Sequence, residues 1–214
     1  MTAAQALETR WHHSLAQLPL VAILRGVQPT EVVAIGQALV QAGWCLIEVP
    51  LNSPDPLRSI SLLREHVPQA LIGAGTVLSA QAVREVKAAA GEWIVSPHFD
   101  ANLVRESVSQ GLISVPGVST PSEAFAALAA GAHGLKVFPA EMITPLVLKS
   151  WRSVLPPTRV LLPVGGVGAD NLLAYRAAGA SGAGFGSSLF QPGLSAQQVG
   201  ERARHLAQIW HSAT

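Results

Sequence analysis

The sequence predicts a (β/α)8 TIM barrel preceded by one extra helix, and three observations lead there. Eight short apolar runs recur at intervals of roughly 20 to 26 residues, each nearly free of polar side chains, as strands of a parallel sheet covered on both faces should be. The segments between them carry helical apolar spacing, and several stop at Ala-Gly, as in Ala42-Gly43, Ala130-Gly131 and Ala178-Gly179. A left-handed glycine of that kind ends a helix before the next strand. The 214 residues show no break in composition, so a single domain over residues 1–214 is expected. An eight-fold barrel fits that repeat better than an open doubly wound sheet.

The elements follow in order. Ala3 to Leu18, within a helical extension over residues 1–18, is the extra helix, placed to cap the bottom of the barrel. The strands are Leu20–Leu24, Cys45–Val49, Ala70–Ala74, Trp93–Ser96, Leu112–Val115, Gly134–Phe138, Arg159–Val164 and Ser181–Phe185. Between them, Pro29 to Gln41 has a proline in its first helical turn, and Pro121 to Ala130 has Ser119 or Thr120 to cap it.

Composition excludes several classes of function. Charged residues make up 13% of the chain, and the formal net charge of +1 is scattered. No basic footprint for a nucleic acid or an anionic membrane exists. The single cysteine, Cys45, reads as core packing, since nothing near it resembles a CxxC motif or a His-paired nucleophile. Residues 1–13 lack the apolar region of a signal peptide, and no run reaches 18 uninterrupted apolar residues. A cytoplasmic location is the expectation.

In a barrel, chemistry belongs at the C-terminal ends of the strands and in the loops after them. The polar residues that break the apolar pattern fall there. Arg25 follows the first strand, Glu48 ends the second with Asn52 and Ser53 behind it, Thr76 follows the third, and Pro97 and His98 follow the fourth. Lys136 lies inside the sixth strand, in His133-Gly134-Leu135-Lys136-Val137-Phe138-Pro139. Burial disfavours an ammonium and lowers its pKa, which raises the fraction of free amine able to attack a carbonyl. Such a lysine is a Schiff-base nucleophile candidate; pairing with a buried carboxylate, or extending its ammonium to the strand end, is the local alternative. Alternation puts Gly134 and Phe138 on the face of Lys136, and Leu46 and Pro50 on that of Glu48. The second and sixth strands stand on opposite walls of an eight-stranded barrel, so carboxylate and amine face each other across the mouth. They fit catalysis or a structural ion pair.

Val164-Gly165-Gly166-Val167 closes the seventh strand, and Gly182-Ala183-Gly184-Phe185-Gly186-Ser187-Ser188 closes the eighth before a helical segment. Each alone is an ordinary tight turn. Together they occupy the two places where barrels bind phosphate, through N–H groups exposed by glycine and a helix N-terminus.

Beyond these local readings, the chain resembles the class I 2-keto-3-deoxy-6-phospho-sugar-acid aldolases. The resemblance rests on Leu24-Arg25-Gly26, Ile47-Glu48-Val49-Pro50-Leu51-Asn52-Ser53-Pro54, Gly73-Ala74-Gly75-Thr76-Val77-Leu78, Val95-Ser96-Pro97, and Pro116-Gly117 with Thr120-Pro121-Ser122-Glu123-Ala124. It continues in Leu135-Lys136-Val137-Phe138-Pro139 and Val164-Gly165-Gly166-Val167, so the motifs run in order from about Leu18 to Phe190. Gluconate-type members carry arginine where Asn52 stands and threonine where Val164 stands; here both follow the galactonate pattern.

The resemblance implies that Lys136 forms the Schiff base and Glu48 is the general acid/base. It places Gly75, Thr76 and Pro97 around the pyruvyl carboxylate, Phe138 in the pocket lining, and Gly165, Gly166, Gly186 and Ser187 at the phosphate. With Asn52 in place of an arginine, Arg25 is left to hold the substrate carboxylate. The implied reaction cleaves 2-dehydro-3-deoxy-6-phosphogalactonate to pyruvate and glyceraldehyde 3-phosphate, without a cofactor, in a homotrimer. The alternatives are cleavage of the gluconate epimer, or another phosphate-binding barrel enzyme such as a sugar-phosphate epimerase in which Lys136 acts electrostatically. A metal-dependent route needs clustered His and carboxylate ligands. The seven histidines are read as mostly surface residues, with only His98 near the mouth.

Overall fold

The computed structural model describes residues 2–212. The chain alternates α1 (Ala3–Gln17), β1 (Leu20–Ile23), α2 (Pro29–Gln41), β2 (Leu46–Pro50), α3 (Pro56–His66), β3 (Leu71–Gly75), α4 (Ala80–Ala88) and β4 (Trp93–Val95). It continues with α5 (Ala101–Ser109), β5 (Ile113–Val115), β6 (Gly117–Val118), α6 (Pro121–Ala129), β7 (Gly134–Val137) and α7 (Pro145–Arg152). The last elements are β8 (Val160–Pro163), α8 (Leu172–Ala177), β9 (Ala183–Phe185) and α9 (Ala196–His211).

Local chemistry sets these limits. Pro29 and Pro121 open α2 and α6, where a missing N–H costs nothing. In α6 the Thr120 side chain accepts from the Glu123 N–H while the Glu123 carboxylate accepts from the Thr120 N–H, a reciprocal cap. Gly43, Gly131 and Gly179 have φ of +87°, +104° and +95°, so each supplies a left-handed stop.

The closed eight-stranded barrel predicted from the sequence is not what forms. Six strands make a parallel half-barrel in the order β5-β4-β3-β2-β1-β9, and β6-β7-β8 form a separate three-stranded parallel sheet. One bridge, Val164 to Gly184, connects the two along one edge.

The breaks have a hydrogen-bonding cause. The fifth expected strand, Leu112–Val115, forms as β5 and pairs with β4, but past Pro116 the chain continues as the stub β6, which the sequence did not announce and which pairs with β7. Pro116 has no N–H to give. The Ser114 N–H is taken by the His133 Nδ1 at 3.1 Å, so the ladder to β7 is reduced there to bonds such as His133 N–H to the Ser114 carbonyl at 2.9 Å. At the other seam the Leu161 N–H donates to Ser181 Oγ at 3.0 Å. Pro163, two residues on and facing the same way, again lacks a donor. Side chains and prolines thus replace a continuous ladder at both seams.

Two apolar layers surround the sheets. Between sheets and helices lie residues such as Ile35, Ile47, Val49, Ile60, Leu135 and Val137. Inside, Val21, Ile23, Leu46, Leu71, Trp93, Val95, Ile113, Val115, Val160 and Leu162 meet around Trp11. Trp11 comes from α1 and packs on Trp93 with ring centroids 5.7 Å apart. The Trp93 ring covers Gly73, where an added Cβ would lie 2.3 Å from Trp93 Cδ1. This packing fills the end from which the strands start and leaves the opposite end for the polar residues.

Candidate active site

Glu48 and Lys136 both point inward. Their strand neighbours Ile47, Val49, Leu135 and Val137 belong to the outer core, and alternation turns the residues between them the other way. Glu48 is 2% exposed and Lys136 5%, one on the half-barrel and the other on the three-stranded sheet. Burial pushes the Glu48 carboxyl above its ordinary range, against the opposing pull of Lys136 and Arg25. Burial likewise pulls the Lys136 ammonium below its ordinary range, with Glu48 opposing and Arg25 adding to the effect. In both groups the neutral form gains, so the amine becomes a better nucleophile and the carboxyl a proton carrier.

The surrounding residues hold this pair in place. The Lys136 Nζ sits 4.7 Å from the centroid of the Phe138 ring, two residues along the same face. An added Cβ at Gly75 would lie 2.4 Å from Glu48 Oε1, so the bare glycine is what allows the carboxylate to lie there. Arg25 donates to Asn52 Oδ1 at 2.6 Å and to Thr76 Oγ1 at 3.4 Å. Thr76 adopts φ +55°, a left-handed conformation that a β-branched residue adopts only when its surroundings impose it. Ser53 Oγ accepts from the Gly26 N–H at 2.9 Å, tying the loops after β1 and β2 together.

A cavity of about 410 Å³ opens at these strand ends. Arg25, Thr76, Pro97, Lys136, Phe138, Val164, Gly165, Gly166, Gly186 and Ser187 line it. Glu48, Asn52 and Gly75, also singled out in the sequence, are not in its lining. Gly75 lies against Glu48, Asn52 accepts from Arg25, and Glu48 is almost fully buried. Lining residues outside every segment singled out in the sequence as part of the site are Gly168 and above all Glu141, and Ile23 was read only as part of a strand. Glu141 is the only carboxylate of the lining, five positions after Lys136.

The two glycine loops differ in detail. Gly165 and Gly166 have φ of +99° and +65°, and Asn171 braces their loop by donating to the Gly166 carbonyl at 2.8 Å and accepting from the Gly168 N–H at 3.0 Å. Among the described residues, the N–H groups of Gly165, Gly166 and Ser187 have no protein acceptor. The helix N-terminus expected directly after the last strand is not there. The chain makes one turn instead, with the N–H groups of Leu189 and Phe190 bonded to the Gly186 carbonyl at 2.9 Å, and α9 begins only at Ala196.

The histidines are not uniformly surface groups. His133 is partly buried and bonds the Ser114 N–H, whereas His98 is exposed. Among the described residues, no three His, Cys, Asp or Glu side chains are grouped as metal ligands would be.

The family model for KDPG and KHG aldolase matches residues 12–203. The chain is 45% identical to "Probable 2-dehydro-3-deoxy-6-phosphogalactonate aldolase" of Rhizobium meliloti (strain 1021), over 86% of this chain and 88% of that protein. It is 38% identical to 2-dehydro-3-deoxy-6-phosphogalactonate aldolase of Escherichia coli (strain K12), over 92% of this chain and 97% of that one. A solved structure described as "Native KDPGal structure" superposes with a TM-score of 0.89 at 38% identity, covering 92% of this chain and 96% of that one. With motif order, half-barrel architecture and family match in agreement, the chain belongs to the KDPG and KHG aldolase family.

Proposed function

We propose that this chain is a Schiff-base aldolase that cleaves 2-dehydro-3-deoxy-6-phosphogalactonate into pyruvate and glyceraldehyde 3-phosphate. The observation that carries the reading is the buried Glu48–Lys136 pair, each perturbed toward its neutral form, beside a cavity that ends in a loop of free backbone donors. The names of the two relatives supply the galactonate substrate.

Each step follows from what that geometry offers. The neutral Lys136 amine adds to the C2 ketone, the protonated Glu48 carboxyl gives its proton to the departing hydroxyl, and loss of water leaves an iminium that accepts the electron pair of the C3–C4 bond. Glu48, now a carboxylate, takes the C4 hydroxyl proton directly or through one water as that bond breaks. Glyceraldehyde 3-phosphate leaves. Glu48 returns the proton to the C3 carbon of the enamine, and water hydrolyses the iminium to release pyruvate, restoring the Lys136 amine and giving the released proton back to Glu48. Phe138 packs on the Lys136 side chain, and Thr76 and Pro97 of the lining are assigned to the surroundings of the pyruvyl carboxylate, with Gly75 acting through the room it leaves for Glu48. Arg25, oriented by Asn52 and Thr76, is assigned to the substrate carboxylate. The donors of Gly165, Gly166, Gly186 and Ser187 are assigned to phosphate, through oriented N–H groups rather than a helix dipole. Val164, an apolar residue of the cavity lining beside the Gly165-Gly166 loop, is assigned to the choice of C4 epimer.

A homotrimer fits the exposed apolar side chains of Met142 at 75%, Leu146 at 76% and Phe125 at 48%, a surface that self-association would cover. A cytoplasmic location fits a soluble phosphorylated substrate; among the described residues no helix is long and apolar enough to cross a membrane. Cleavage of the galactonate and gluconate substrates, measured side by side as pyruvate release with and without a chelator, tests the reading. Chelator-insensitive preference for the galactonate substrate is expected. A tenfold preference for the gluconate epimer would remove the substrate assignment while leaving the mechanism.

A further inference from the structure

Glu141 has no part in the chemistry above, yet its carboxylate lies against the loop assigned to phosphate. An added Cβ at Gly165 would be 2.4 Å from Glu141 Oε2, and one at Gly166 would be 2.8 Å from Glu141 Cγ. The side chain therefore occupies the space that the two left-handed glycines leave open. The chain on either side of it is fixed: before it, the Ala140 N–H donates to the Val164 carbonyl and the Tyr175 hydroxyl to the Ala140 carbonyl, each at 2.8 Å, and after it the Met142 N–H donates to the Pro139 carbonyl at 3.1 Å. Glu141 itself is exposed. It is the one negative group in a lining whose cations, Arg25 and Lys136, belong to the other end of the substrate.

We propose that Glu141 sets the affinity of the pocket for the phosphoryl group. The carboxylate rests across Gly165-Gly166 when the pocket is empty, and an incoming phosphate displaces it. This deepens the phosphate assignment and rests on it. A phosphate dianion bound at the free donors of Gly165, Gly166 and Ser187 meets a like charge in a partly solvated site, which weakens binding. The same repulsion favours release of the phosphorylated aldehyde once the C3–C4 bond is broken. Glu141 is thus a specificity-determining residue that trades substrate affinity for product release.

The test compares wild type with E141Q, which removes charge at constant shape, and E141A, which also removes bulk. Inorganic phosphate serves as the probe, as a competitive inhibitor of pyruvate release, and the concentration of pyruvate that half-saturates borohydride trapping is the control for the other end of the pocket. The expected result is a phosphate inhibition constant lowered roughly three- to fivefold in E141Q, the upper end of an interaction between partly exposed charges. KM for the phosphorylated substrate falls with it, while the pyruvate control moves much less. E141A matches or exceeds the shift. An inhibition constant within twofold of wild type in E141Q, or a raised one, overturns the role of Glu141 alone. If wild type ignores phosphate and cleaves a dephosphorylated substrate equally well, the phosphate assignment itself fails and takes the role of Glu141 with it.

Discussion

Replacing Gly75 by alanine isolates the placement of Glu48 from its chemistry. The new methyl carbon would lie 2.4 Å from Glu48 Oε1 and 3.0 Å from Glu48 Cδ, where ordinary contact begins at 3.4 Å. Gly75 needs no left-handed backbone, since it is not among the positive-φ glycines, so alanine is accommodated by the β3 chain itself. The strain falls on the carboxylate, which must retreat by about 1 Å. A displacement of that size at a catalytic group lowers turnover by about 10²-fold. Lys136 is not touched, so adduct formation with pyruvate continues. Steady-state pyruvate release gives kcat for cleavage, and borohydride trapping reports the first covalent step in the same preparation. A fall in kcat near two orders of magnitude with trapping retained is the expected pattern. Undiminished kcat in Gly75→Ala would mean that the position of Glu48 does not matter to proton transfer.

Three further outcomes follow from the same geometry. Glu48→Gln keeps the shape but cannot take a proton, so cleavage falls by about 10²-fold or more while KM changes much less; full activity would pass the proton to water or another group. Val164→Thr places a hydroxyl at the apolar wall with little change in volume, and the ratio of kcat/KM for the two epimers shifts toward gluconate; an unmoved ratio removes Val164 from epimer choice. His133 is held below its ordinary pKa, first by burial, with Glu8 opposing, and its Nδ1 must be unprotonated to accept from Ser114. The unfolded chain takes up that proton more readily, so this contribution is complete above about pH 6.5 and is lost as pH falls through that value toward the lower folded pKa. His133→Asn keeps an acceptor that does not titrate, and its unfolding free energy from urea titration should fall less between pH 7.5 and 5.5 than that of wild type, by about 1 kcal/mol; equal losses would refute the role.

The strands and most of the candidate cavity lining were legible because their signals are local. An apolar run bounded by Ala-Gly reads as a strand wherever it sits, and Lys136 stood out against its own neighbours. Closure was not legible, since it depends on which donors meet across a seam. Pro116 and Pro163 cost a hydrogen bond only because their missing N–H groups face another strand, and His133 and Ser181 supply side-chain partners that no spacing rule reveals. Gly75 was identified as a site residue, but its reason is the Glu48 carboxylate above it, from a different strand. Glu141 left one usable signal, an acidic residue in the loop after the lysine-bearing strand, where ligand contacts concentrate. It was masked by the stronger glycine pattern of Gly165-Gly166, against which it packs.

The central claim is that Lys136 forms the covalent intermediate. Borohydride reduction in the presence of pyruvate, followed by peptide mapping, should place one pyruvyl adduct per chain on the peptide containing Lys136. Lys136→Met should abolish the adduct while the fold persists, because removing a buried charge need not destabilise it. Labelling at Lys87 or Lys149 instead, or undiminished labelling of Lys136→Met, would contradict the account.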